Sequence, residues 1–142
     1  MSGLHWTWCL DRQIPSRTSA AEQIVDMLLK RLEQDAWDDR ERFGVHLAVE
    51  EALVNAIVHG NREDPDKSVH VVLQTNPEVL RVEITDQGAG FDPDQVPDPT
   101  SEDRLAMPHG RGLMLMRSFM SKVEYQGRGN QLIMEKHRDS TA

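Results

Sequence analysis

The chain is expected to fold as an α+β two-layer α/β sandwich, with helices on one face of a mostly antiparallel mixed sheet. Three observations carry that expectation. Period-two apolar runs stand near the start, in the middle and at the end of the chain. Helical stripes occupy the stretch between the first run and the second. The runs cluster in pairs, so strands and helices are segregated instead of alternating strictly. A length of 142 residues suits one domain, taken as 1–142.

Each element has its own signal. Leu4, Trp6, Trp8 and Leu10 alternate with His5, Thr7 and Cys9, a half-buried strand that Pro15 ends. Ser16 or Thr18 is placed to cap a helix whose stripe is Ala20, Ile24, Met27, Leu28 and Leu32, running to about Trp37. "DAWDDRER" is a polar joint. A second helix is expected from about Asp38 to His59, with Phe43, Leu47, Leu53, Val54 and Ile57 inward and Gly60 at its C′ position.

"SVHVVLQT" (68–75) and "VLRVEITD" (79–86) are β-branched runs joined by "NPE", a hairpin signal. From Gln87 to Pro108 there is no periodicity, and Pro93, Pro97, Pro99 and Pro108 punctuate the stretch. Such a segment inside a compact domain reads as a lid or binding loop, or as a linker. Residues 111–120 look helical, with Leu113, Leu115, Met116 and Phe119. "KVEYQG" and "NQLIMEKH" close the chain as two strands around Gly127-Arg128-Gly129.

Acids outnumber bases 24 to 16, for a formal charge of −8. That balance argues against nucleic acid or an anionic membrane as partner, while leaving room for a local basic patch. Any phosphate ligand would need local help from backbone N–H groups, a helix N-terminus or a metal ion. The single cysteine, Cys9, forms no intramolecular disulfide and no cysteine zinc cluster. No apolar run is long enough to span a bilayer, and no signal-peptide pattern opens the chain. A cytoplasmic protein is the expectation.

Three short stretches could carry chemistry. In "EEALVNAIVHGN", Glu51 and Asn55 are four apart on one helix face. Asn offers a hard carbonyl oxygen suited to Mg²⁺, and a carboxylate one turn earlier could take a proton from a nucleophile. The pair also fits the solvent side of an amphipathic helix. Glu50 points about 100° away and reads as surface. His59 fits a cap on the helix end or an approach to the ligand; Asn61 suits turn chemistry.

In "DQGAGF" a strand ends at Asp86 and glycines follow at 88 and 90. An acid there can accept from an exocyclic amine such as adenine N6, and Gly88 and Gly90 permit close approach of a flat base. A plain tight turn has the same composition. In "HGRGLMLM", Gly110 and Gly112 precede a helix, whose free N–H groups suit a triphosphate. Arg111 either adds charge at a phosphate or projects toward a partner. No Walker P-loop, Rossmann fingerprint or protein-kinase motif set is present.

The order and spacing of these three motifs, with a long segment between the last two, resemble the ATP-binding domain of the GHKL superfamily, the Bergerat fold. The small size and the wording "EALVNAIVHG" resemble the stand-alone anti-sigma-factor serine kinases of bacterial partner switching. The resemblance spans nearly the whole chain. It implies Glu51 as general base, Asn55 as Mg²⁺ ligand, Asp86 as the adenine-binding acid with Gly88 and Gly90 beside the base, and 91–109 as an ATP lid. Gly110, Arg111, Gly112 and Leu113 would form the phosphate-contacting segment, with charge from Arg104, His109 or Arg111. The cofactors implied are ATP and Mg²⁺. The activity implied is phosphorylation of a serine on an anti-anti-sigma (STAS-like) partner, with ATP-modulated sequestration of a sigma factor. A homodimer is also implied, for which the strand bearing Trp6 and Trp8 offers an apolar edge. The alternative is a non-catalytic, ATP-gated partner-binding module.

Overall fold

The computed structural model describes residues 5–88, 108–127 and 129–138, with only the backbone course for 108–113. Strand β1 spans Trp8–Pro15 and is followed by helices α1, Thr18–Gln34, and α2, Asp39–Val54. A π-helical turn, Asn55–Gly60, extends α2. Then come β2, Ser68–Thr75, β3, Val79–Thr85, α3, Pro108–Phe119, β4, Lys122–Gln126, and β5, Gln131–His137.

The sheet order is β1-β2-β3-β5-β4, and every described pairing is antiparallel. No parallel pair of a mixed sheet occurs among the described residues. Alternate residues of the strands face the helices: Val69, Val71 and Leu73 on β2, Leu80, Val82 and Ile84 on β3, Leu132 and Met134 on β5. They pack into one core with Ile24, Leu28 and Leu32 of α1, Val45, Val49 and Leu53 of α2, and Met116 of α3. The opposite face of the sheet is polar, with Arg81 donating to Glu83 and Gln131 donating to the same carboxylate. The α+β sandwich is therefore as expected.

Several boundaries differ for identifiable reasons. β1 begins at Trp8, beyond Leu4 and Trp6, and ends at Pro15 as expected, with β2 pairing as far as Pro15↔Ser68. The apolar alternation hid the second half of the strand, since exposed Arg12 occupies the inward-side position between buried Leu10 and Ile14.

Neither Ser16 nor Thr18 caps α1: its N-cap is Arg17, with no side-chain cap bond. The Ser16 hydroxyl instead donates to the Lys67 carbonyl at 2.7 Å. The helix ends at Gln34, short of Trp37, in a Schellman turn. There Trp37 N–H bonds Leu32 O and Ala36 N–H bonds Glu33 O, both at 3.0 Å, with Ala36 at φ 61°.

Asp38 is the N-cap of α2 and accepts from Glu41 N–H at 2.7 Å. Phe43, expected inward, is 60% exposed and meets Phe119 edge to face, ring centres 6.4 Å apart. Leu47 and Val54 are only partly buried. The buried stripe is Val45, Ala48, Val49, Ala52 and Leu53. α2 lies between α1 and α3, so its apolar residues spread around the axis and the inward face was hard to read.

Gly60 is not a left-handed C′ residue either. It lies within the π-helical turn, and positive φ falls on Arg62 and Glu63. At the β4–β5 turn the expectation holds: Gly127 and Gly129 take φ of 63° and 88°.

Candidate functional site

The site lies where the end of α2 meets the turn that follows β3. A π-helical turn carries one extra residue per turn and is often found at functional sites. Here Asn61 N–H bonds Ala56 O at 2.8 Å, closing the turn with an i−5 bond. The widening delivers Gly60 against Asp86.

That contact tolerates no side chain. A Cβ on Gly60 would stand 2.8 Å from Asp86 Oδ1 and nearer still to Oδ2. A Cβ on Gly88 would stand 2.7 Å from the Gly60 carbonyl carbon. The two glycines thus let two backbones touch.

Asp86 is half-buried and held from several directions. Its N–H donates to Asn130 O, and its carbonyl accepts from Asn130 Nδ2, both at 2.9 Å. Its Oδ1 accepts from Gly88 N–H at 2.8 Å, an Asx turn.

One turn before the π segment, Glu51 is half-buried, and its carboxyl is pushed above the usual 4.5 by burial and then by the Glu50 charge. Glu50 itself is exposed and pairs with His46, as expected of a surface acid. Asn55 is 5% exposed, and neither its Nδ2 nor its Oδ1 has a hydrogen-bond partner among the described residues. An amide left so costs about 1–3 kcal/mol. Its carbonyl oxygen therefore fits the ligand expected of a Mg²⁺ site, which takes only one or two protein oxygens beside those of a phosphate.

His59 is half-buried, and burial pushes its imidazole below the usual 6.5. It stands in the last turn of the π-helical segment, at the helix end where the sequence placed it.

Two residues belong to the site that sequence reasoning missed. Tyr125 on β4 is half-buried, and its phenol is held well above the usual 10.0, by burial first and then by the Asp86 and Glu51 charges, against Arg117. The helix that carries Glu51 and Asn55 meets Asp86 through the Gly60 contact. Only the Val123/Tyr125 alternation signalled Tyr125, and that reads as packing. Asn130, the clamp on Asp86, looked like an ordinary turn residue.

The structure thus brings together Glu51, Asn55, Asp86 and Gly88. Gly90 and most of the expected lid, 91–107, lie outside the described residues, as does Arg104. Gly110, Arg111, Gly112 and Leu113 were expected around the start of a helix at 111. Their backbone instead lies inside α3, which begins at Pro108 and so takes in the last two residues of the expected lid. Proline suits a first helical turn because its missing N–H would be unpaired there. α3 packs against α2 and the π-helical turn. Among the described residues no cluster of three His, Cys, Asp or Glu forms a metal cage, and no helix is long and apolar enough to cross a membrane.

Comparison with known proteins agrees with this geometry. The serine/threonine-protein kinase BtrW of Bordetella bronchiseptica is 35% identical over 108 residues, covering 73% of this chain and 76% of that protein. An anti-sigma F factor of Clostridium beijerinckii is 30% identical over 97 residues, 65% of this chain and 68% of the relative. The crystal structure of the RsbU and RsbW domains of a Mycobacterium tuberculosis protein matches with a TM-score of 0.60 at 14% identity. The match covers 93% of this chain but 32% of that one, a likeness of fold. A family model described as the histidine kinase-like ATPase domain matches residues 14–136. The chain belongs to the histidine kinase-like ATPase domain family.

Proposed function

We propose that the chain is an ATP-dependent serine protein kinase that acts as an anti-sigma factor, phosphorylating an anti-anti-sigma (STAS-like) partner and sequestering a sigma factor. The observation that carries the reading is the orphaned Asn55 amide, buried one turn beyond Glu51 on the helix whose end, at Gly60, contacts Asp86. Family membership and the BtrW and anti-sigma F relatives support the same reading.

Bound ATP with Mg²⁺ supplies the transferable phosphoryl group and neutralises its charge. The chain's own residues do the rest. Asn55 Oδ1 offers a metal ligand. Asp86, held beside Gly88, would accept from the adenine amine, and Gly88 and Gly90 would let the base approach. Gly110, Arg111, Gly112 and Leu113 lie in the first turns of α3, where the Gly110 N–H, left unused by the helix, and the positive helix end would face phosphates. Glu51 takes the proton of the attacking serine hydroxyl; burial raises its proton affinity, which suits a base. Kinase chemistry asks mainly for such positioning.

The domain is taken as 1–142, with 91–109 as the lid and its last two residues opening α3, in the cytoplasm, with no direct nucleic-acid or membrane partner. A homodimer would form along β1. That strand ends the sheet, and with α1 it borders a groove of about 520 Å³ lined by Trp8, Leu10, Arg12, Met27 and Arg31.

The test is incubation with Mg²⁺-ATP and a cognate anti-anti-sigma protein. Phosphoserine on that protein, lost in Glu51→Gln with ATP binding retained, is the expected result. Partner binding without phosphoserine in the wild type would favour the contact-only module.

A further inference from the structure

We propose that Asn61 is the positioning residue that aims Asp86, so that base discrimination at this pocket depends on an amide that touches no ligand. The inference rests on the nucleotide-pocket reading above and deepens it.

Asn61 is 1% exposed, and its side chain bonds three separate segments of the chain. Its Nδ2 donates to Ser16 Oγ at 3.0 Å, just past β1, and to Ser68 O at 2.9 Å, at the start of β2. Its Oδ1 accepts from Gln87 N–H at 2.7 Å, in the turn after β3. Both amide donors and the carbonyl acceptor are thereby used. Gln87 answers by accepting from Ser68 N–H through Oε1 at 2.8 Å.

The two ends of the amide do different work. The Nδ2 bonds tie scaffold to scaffold. The Oδ1 bond fixes the peptide that joins Asp86 to Gln87, while Asn130 fixes Asp86 N–H and C=O from the other side. With those three main-chain groups pinned, Oδ1 of Asp86 on Gly88 N–H and Oδ2 against the Gly60 α-carbon, the carboxylate has one direction. A carboxylate with one direction can tell an exocyclic amine, which donates, from an exocyclic carbonyl, which does not. One with a loose backbone tells them apart poorly, because discrimination against a wrong group requires a site whose polar atoms cannot re-aim.

The experiment compares Mg²⁺-ATP and Mg²⁺-GTP binding by calorimetry in the wild type, Asn61→Ala and Ser16→Ala. The wild type is expected to favour ATP. In Asn61→Ala the ATP preference is expected to fall about tenfold, with amide exchange at Gln87 accelerated and the sheet intact by circular dichroism. Ser16→Ala removes a scaffold bond only. It is expected to lower the melting temperature while leaving the ATP preference and Gln87 exchange as in the wild type. Should the alanine variant not fold, Asn61→Ser, whose hydroxyl does not reach Gln87, is read by the same ratio. A folded Asn61 variant with wild-type preference overturns the inference while leaving the pocket standing, as does an equal loss in Ser16→Ala. A wild type that binds neither nucleotide overturns both.

Discussion

Gly60 and Asp86 are in direct contact: the α-carbon of the glycine faces the aspartate carboxylate so closely that no Cβ fits between them. One residue ends a π-helical turn and the other follows an interior strand. Their meeting joins the helix bearing Glu51 and Asn55 to the turn bearing Asp86.

Alanine at either glycine is therefore expected to be severe. At Gly88 the clash is with main chain, which cannot swing aside, so Gly88→Ala should cost about 3 kcal/mol, the upper end for overpacking. At Gly60 the neighbour is the Asp86 carboxylate itself, so Gly60→Ala should displace it and weaken ATP binding more than it lowers stability. Denaturant melts alongside calorimetry check both.

Glu51 carries a pH signature. Its carboxyl titrates above 4.5, from burial first and Glu50 second. As a base it works ionised, so transfer activity should fall as pH drops through that raised value. Glu50→Gln removes the second cause and should move the acid limb of the kcat/KM profile to lower pH. The stability sign is opposite. A raised carboxyl binds protons more tightly folded than unfolded, so its contribution is present below 4.5 and is lost as pH rises through the folded value. Glu51→Gln is thus expected to abolish transfer and raise the melting temperature at neutral pH.

Ala36 sits at φ 61° in the turn that ends α1, where an L side chain is disfavoured. Arg138 donates to its carbonyl and lies over the neighbouring Trp37 ring at 5.4 Å. Ala36→Gly relieves the strain without touching these contacts and should stabilise the protein by about 1 kcal/mol, read as a higher denaturation midpoint with unchanged slope.

Strand polarity was legible where one face is buried and one is wet. The β2–β3 hairpin was read to within a residue, and the glycine turn before β5 was read outright. Glu51, Asn55 and Asp86 stood out through the order and spacing of their motifs, since singly each also fits a wet helix face or a plain tight turn. Other features rest on tertiary contact. Phe43 looks like a core residue until α3 is present to meet it from the side. Gly60 resembles a helix stop, because composition does not distinguish a left-handed turn from a close approach. Tyr125 and Asn130 became site residues only once the sheet order set β5 beside β3 and β4 beside β5, and Asn61 only once the β2–β3 pairing brought Ser68 and Gln87 together.

At the edge strand, Trp8→Asp with Met27→Asp places charge along the β1–α1 groove. A dimeric mass for the wild type by light scattering, and a monomeric one for the double variant, is the expected pair of results. A monomeric wild type would remove the edge from the account.

The most direct measurement is titration of the purified chain with ATP, with and without Mg²⁺, for the wild type, Asn55→Ala and Asp86→Asn. Uptake strengthened by the metal in the wild type, metal dependence lost in Asn55→Ala and adenine affinity lost in Asp86→Asn are the expected outcome. A wild type that takes up no nucleotide with the metal supplied, or two variants that bind as it does, would contradict the pocket.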